Sequence, residues 1–219
     1  RSNWAGFVLV PVAFSIILVL ILYLALAPTV MPVVDLFNLF LSEEKQTNTI
    51  PTNQFQGLHS ALENNKDGIL LSEFTYPEVG AYYGEVTIEG TTLKTDLLWG
   101  DSNKELNAGA GTYTGAWLPG FDRTVLLAGH SMTAFYELGD AKLGSIITVK
   151  TYYGEYHYKI TDMQVKEATD ETAYDFSRTD ENIILYTCYP FHGIGFTPTR
   201  YFVYGKYIDG PKIIDDSKD

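Results

Sequence analysis

Cysteine is nearly absent: the 219 residues contain one, Cys188. A lone thiol excludes an internal disulfide. Basic residues are also scarce, 15 Lys and Arg against 27 Asp and Glu, giving a formal net charge of −12. With no basic run anywhere, the chain argues against nucleic acid as a partner and against docking on anionic lipid through a basic patch. The four histidines, His59, His130, His157 and His192, are scattered. No Asp-x-Asp-x-Asp-Gly loop of the calcium-binding kind occurs, so the acidity reads as a solvated surface. Glu167, Asp170, Glu171 and Asp175 could hold a cation, but a solvated acidic loop is the simpler reading. Internal repeats and low-complexity tracts are absent too.

What is present begins with an uncharged apolar run, Phe7–Ala27. At ~1.5 Å rise per residue, a helix of this length crosses a ~30 Å hydrocarbon layer. The rival reading is a cleaved signal peptide, because Ala25-Leu26-Ala27 has a small-x-small pattern, but the apolar region of such a peptide is shorter, ~7–15 residues. Arg1 precedes the run, and Asp35, Glu43 and Glu44 follow it, which puts the N-terminus in the cytoplasm and the bulk outside. The expected organisation is a transmembrane anchor over 1–34 with its span at about 7–27, and a membrane-proximal segment and linker over 35–80. A folded body over 81–210 and an acidic tail over 211–219 follow. A short helix is expected over Asn53–Asn64. His59, within it, reads as a surface or packing residue.

At 46% hydrophobic residues the chain can bury one sizeable core. From Tyr83 onward, short β-prone runs alternate with turn signals. The expected strands are Gly84–Ile88, Thr92–Trp99, Val125–Ala128, Ile146–Thr151, Glu155–Met163, Ile183–Thr187 and Tyr201–Ile208. Glu89-Gly90 and Gly154 are hairpin turn candidates. Tyr156, Tyr158 and Ile160 alternate with His157, Lys159 and Thr161, so His157 falls on the wet face. Many short strands at this spacing predict a mainly β, closed sandwich or barrel with short helices. Ala134–Leu138 reads as helical or irregular. Thr169–Asp180 reads as a long acidic loop with a turn of helix, placed to contact a substrate.

The chemistry concentrates in Ile183–Tyr204. Two β-prone runs flank a loop with Gly193, Gly195, Pro190 and Pro198. Cys188 sits where the first strand ends and Arg200 where the second begins, which places a nucleophile beside a fixed positive charge. A buried cysteine is more often a small hydrophobe. A free thiol in an oxidising compartment, however, is a liability unless it is used. His130 has the best context to serve it, at the end of the apolar run Thr124–Ala128 and after Gly129. Catalytic groups gather where strands give way to loops. His192, four residues after the cysteine in a Gly-rich loop, is the competing candidate.

The order His, Cys, Arg separates the chain from papain-like peptidases, which place Cys before His. It lacks the Ser-His-Gly-Cys of peptidoglycan-crosslinking cysteine transpeptidases and the caspase signature. The chain resembles the sortases, membrane-anchored cysteine transpeptidases of Gram-positive bacteria. Leu185-Tyr186-Thr187-Cys188 matches the family's Leu-x-Thr-Cys, with Ile184 in place of the preceding Thr. Ala128-Gly129-His130-Ser131 matches the histidine motif, and Arg200 matches the arginine of the following strand. Gly109–Tyr113 and Pro119-Gly120 are similar to the family's approach to the histidine, and the likeness covers roughly Tyr83–Ile208. Cys188-Tyr189-Pro190-Phe191 and the Cys-to-Arg spacing resemble class D most.

The resemblance implies an eight-stranded sortase barrel and catalytic roles for Cys188, His130 and Arg200. It also implies surface-protein substrates with a Leu-Pro-x-Thr-like sorting signal and an amine acceptor on a cell-wall precursor. It implies no cofactor, and calcium dependence stays open. Two alternatives share the same residues: a surface-tethered β-barrel binding module with an incidental buried cysteine, and a cysteine endopeptidase that uses water as acceptor.

Overall fold

In the computed structural model, which describes residues 11–21, 68–191 and 197–217, alternating apolar residues are what close the sheet. The strands are β1 (Ile69–Leu70), β2 (Tyr82–Ile88), β3 (Lys94–Trp99), β4 (Ala110–Thr112), β5 (Thr124–Ala128), β6 (Ile146–Thr151), β7 (Glu155–Glu167), β8 (Asn182–Tyr189), β9 (Thr199–Asp209) and β10 (Ile213–Ile214). Eight of them form a closed barrel in the order β2-β3-β4-β5-β8-β9-β7-β6. Closure removes exposed edges, which a sheet of this many short strands would otherwise present. Tyr156, Tyr158 and Ile160 point inward and are buried, with Leu127, Ile183 and Leu185 in the same core. The mainly β, closed-barrel expectation therefore holds.

The differences from the expected elements have local causes. β4, Ala110-Gly111-Thr112, is too short and too interrupted by glycine to show a β-prone run. A Cβ on Gly111 would lie 2.4 Å from the Gly100 carbonyl oxygen, so glycine is needed where another segment's backbone passes this close. β7 runs on to Glu167, past the expected Met163, because β9 supplies a ladder partner as far as Glu167↔Thr199. Its last residues are largely exposed and have no apolar pattern to reveal them. The stretch at Ala134–Leu138 is irregular rather than helical: hydrogen-bonded turns lead into a 3-10 turn at Leu138–Asp140. The loop before β8 contains a 3-10 turn, Glu171–Ala173, in line with the turn of helix expected within Thr169–Asp180.

A helix, α1, covers residues 11–21, each of them exposed. Among the described residues no helix is long and apolar enough to cross a membrane. The flanks of the expected Phe7–Ala27 span lie outside the described residues, as do the expected helix at Asn53–Asn64, His59 and His192. A short helix that the turn and strand signals did not predict, α2 (Asn103–Ala108), joins β3 to β4. It carries a complete capping box. Ser102 Oγ accepts from Lys104 N, and Glu105 Oε2 accepts from Ser102 N at 3.1 Å.

Candidate active site

Three strands deliver the candidate residues. β5 and β8 are parallel neighbours, with Leu126 opposite Ile184 and Ala128 opposite Tyr186. The pairing continues past the strand end. Gly129 N donates to Tyr186 O at 3.2 Å, and Thr187 Oγ1 donates to Gly129 O at 2.7 Å. His130 therefore leaves β5 at the level where Cys188 ends β8. On the other side of β8, antiparallel β9 sets Arg200 directly opposite Cys188. The three residues come to one end of three hydrogen-bonded strands.

Cys188 and Arg200 also share a face. Side chains in a strand alternate with period 2. Leu127, Leu185 and Val203 point into the barrel, while Leu126, Ile184 and Phe202 form a second cluster outside it. Cys188 lies two and four residues from Tyr186 and Ile184, and Arg200 two from Phe202, so both belong to the outer face. That face is roofed away from the site by the loop before β8. Ala173 is buried there, and Phe176 stacks on Tyr113 with ring centroids 5.6 Å apart. Tyr204 OH donates to Ala173 O at 3.0 Å, and Thr124 Oγ1 donates to Asp175 O at 2.7 Å. The loop expected to contact substrate thus borders the outer face on which Cys188 opens.

Local sequence explains each placement. Gly129 is required because a Cβ there would come 2.6 Å from the ring of Phe135, which is fully buried. The His130 carbonyl then accepts from Thr133 N at 3.2 Å and Phe135 N at 3.0 Å, which fixes the turn after the histidine. Burial holds the His130 imidazole below its ordinary pKa, so more of it is neutral at pH 7. Arg200 Nη1 donates to Thr197 O at 2.7 Å and to Thr199 O at 2.9 Å. Those bonds hold the guanidinium plane at the strand end. Cys188 is half-buried and free.

The other histidine candidate within the described residues is elsewhere. His157 pairs with Asp209 of β9, nine residues beyond Arg200, which is ~30 Å along a strand. Its Nδ1 lies 2.6 Å from Asp209 Oδ1 and its Nε2 3.2 Å from Glu155 Oε1. The acidic loop residues are spent on their own turns, Asp170 on Thr172 and Asp175 on Ser177. Among the described residues no three His, Cys, Asp or Glu gather as a metal site. Sequence reasoning missed Tyr186 and Asp101. The period-2 step back from Cys188 would have found Tyr186 on the site's face. Its hydroxyl is pushed up to about 12, by burial first and then by the Asp101 carboxylate. Asp101 carries no local signal, because it reaches this face through the pairing of β3 with β4.

A thiol, an imidazole and a guanidinium brought to one end of a closed barrel are the groups that cysteine acyl transfer uses. The family model described as the Sortase domain matches residues 86–208, and the chain belongs to the sortase family of cysteine transpeptidases. It is 28% identical over 149 residues to Sortase D of Bacillus subtilis (strain 168), covering 68% of this chain and 75% of that protein. The fold is similar to the catalytic domain of SrtD from B. anthracis, at 26% identity and a TM-score of 0.54 over 65% of this chain and 97% of that one. It is also similar to sortase A of Listeria monocytogenes, at 23% identity and a TM-score of 0.54 over 61% and 92%.

Proposed function

We propose that this chain is a membrane-anchored, class D-like sortase that cleaves a Leu-Pro-x-Thr-like sorting signal and transfers the cut protein to an amine of a cell-wall precursor. The carrying observation is the common level of His130, just past β5, with Cys188 on β8 and Arg200 on β9, the last two opposite each other on one face. The Cys188 thiolate attacks the threonine carbonyl carbon, and the amide C–N bond breaks as His130 gives its proton to the leaving amine. The resulting thioester is attacked by the incoming amine. His130 takes that amine's proton, and the thiolate leaves. Arg200 donates to the developing oxyanion or to the substrate backbone, a contribution worth ~10²–10³ in rate.

The lowered His130 pKa makes the imidazolium the minor form of that side chain at pH 7. The uncharged run Phe7–Ala27 is the proposed anchor, with the N-terminus cytoplasmic and the barrel extracellular. The proposed organisation keeps the anchor in 1–34, the linker in 35–80, the catalytic barrel in 81–210 and the tail in 211–219.

The test is mass spectrometry of the full chain in detergent micelles with a Leu-Pro-x-Thr peptide library, with and without an added amine. An acyl adduct on Cys188 together with amine-exchanged product is the expected result. An adduct that resolves only with water makes the enzyme an endopeptidase. No adduct with any peptide, and a thiol inert to a small alkylating reagent, makes the barrel a binding module.

A further inference from the structure

Asp101 follows β3 and precedes α2, and no local role accounts for it. Gly111 of β4 pairs with Ala128 of β5, and Ala128 pairs with Tyr186 of β8. These three residues form one row across the outer face, one level before His130 and Cys188. A Cβ at Gly111 would lie 3.0 Å from the Asp101 Cα, so the segment carrying Asp101 crosses the row at its glycine end. Glycine and alanine leave the row with no large side chain until Tyr186. The Tyr186 hydroxyl feels the charge of Asp101 most strongly, and it also feels Arg200 and Cys188. Asp101 therefore borders the same face as the reacting thiol.

Its carboxylate has no counter-charge. Among the described residues the ion pairs of Lys and Arg all go to other acids. Partial burial raises the Asp101 pKa, a hydrogen bond from its own backbone N–H offsets part of the rise, and repulsion from Glu105 adds to it. The helix beside it does not need it, because Ser102 and Glu105 already complete the capping box. A partly desolvated carboxylate with no cation against it is stabilised by one that arrives.

We propose that Asp101 is a specificity-determining residue, which receives an ammonium or guanidinium group of a substrate beside Tyr186 while the scissile carbonyl sits at Cys188. This rests on the transpeptidase reading above. The cation has two possible sources, a basic side chain in or next to the sorting signal and the incoming amine in its protonated form. In the second case the ammonium must release one proton to solvent before it attacks, and His130 takes the other as the amide forms.

The experiment uses the full chain in detergent micelles, as wild type, Asp101→Asn and Asp101→Lys. In the first arm, thioacyl formation is timed with peptides that differ by Lys, norleucine or Glu at each position within and flanking Leu-Pro-x-Thr. In the second arm, resolution of the adduct is timed with a glycyl peptide amine, largely protonated at pH 7, and with hydroxylamine, which is largely neutral there. In one arm the wild type favours the cation by about threefold to tenfold, the scale of a partly exposed ion pair, and salt weakens the preference. Asp101→Asn abolishes the preference. Asp101→Lys reverses it toward the Glu peptide or the neutral nucleophile. Identical ratios in wild type and Asp101→Asn overturn the proposal, as does an equal loss for charged and neutral partners, which marks a purely structural role. If the wild type forms adducts and also resolves them without regard to charge, only this proposal falls. If it forms none with any peptide, the transpeptidase reading falls and takes this one with it.

Discussion

At the scale of single residues, His130 carries the clearest pH signature. Burial lowers its pKa, so the folded chain takes a proton less readily than the unfolded one. Above the ordinary histidine value of ~6.5, both states are neutral and the full stability is present. As pH falls below that value the unfolded state protonates first, and stability is lost down through the folded pKa. Urea midpoints are therefore expected to fall between pH 7 and 5, and to fall less in His130→Gln. Equal slopes for the two proteins would contradict the burial argument. Arg200 makes a separate prediction. Its Nη1 is held by two backbone carbonyls, so the N–H groups of the other guanidinium nitrogens are left for substrate, a division of donors over one rigid plane that the single ammonium of lysine cannot copy. Arg200→Lys should lose ~10²-fold in kcat/KM, measured by peptide cleavage, and near-normal turnover would refute the geometry. These residues were legible because each stands at a strand end marked by an apolar run. Asp101 was not, because its neighbours are non-local.

At the scale of elements, the threonine before the cysteine acts as a tie between strands. Thr187 is 1% exposed, and it alternates away from the face of Cys188. Its hydroxyl donates to Gly129 O, which joins the end of β8 to the turn that holds His130. Thr187→Val keeps the shape and removes the donor. A buried carbonyl left without this bond costs about 1–3 kcal/mol. The expected result is that loss in chemical denaturation, with a drop in kcat as His130 loosens and little change in peptide KM. A raised KM at unchanged kcat would instead mean that Thr187 serves binding. The same scale shows which elements a sequence can reveal. β6 was readable at both ends because its residues alternate between core and solvent. The outer half of β7 and all of β4 were not. One is held by ladder hydrogen bonds under exposed side chains, and the other by close backbone approach, and neither leaves a periodic apolar pattern. α2 was signalled by Ser102-x-x-Glu105, a cue that was available in the sequence.

At the scale of the whole barrel, the segments that flank it are clasped to its far end by a buried charge. Glu181 has a side chain only 1% exposed. It accepts from Gly120 N at 3.0 Å, from Tyr158 OH at 2.6 Å and from Lys212 Nζ at 2.9 Å. Lys212 also lies 3.7 Å over the Tyr207 ring, and just beyond it β10 pairs in parallel with β1. Ser72 N and Asp216 add a bond between the two flanking segments at 3.1 Å. The partners differ in burial, which sets the expected costs. Glu181→Gln leaves a desolvated site with mismatched donors and should cost about 2–4 kcal/mol. Lys212→Met, at the solvent edge, should cost about 1 kcal/mol. The double variant should cost less than the sum, because the pair is lost only once, and a double-mutant cycle in urea measures the difference. Glu181 is seven residues before Cys188, ~23 Å along the strand, so folded Lys212→Met enzyme should keep its kcat/KM within about twofold. Strict additivity would show that the two groups do not act as a pair. A large catalytic loss in the stably folded single variant would show that the clasp and the catalytic end of the barrel are mechanically joined.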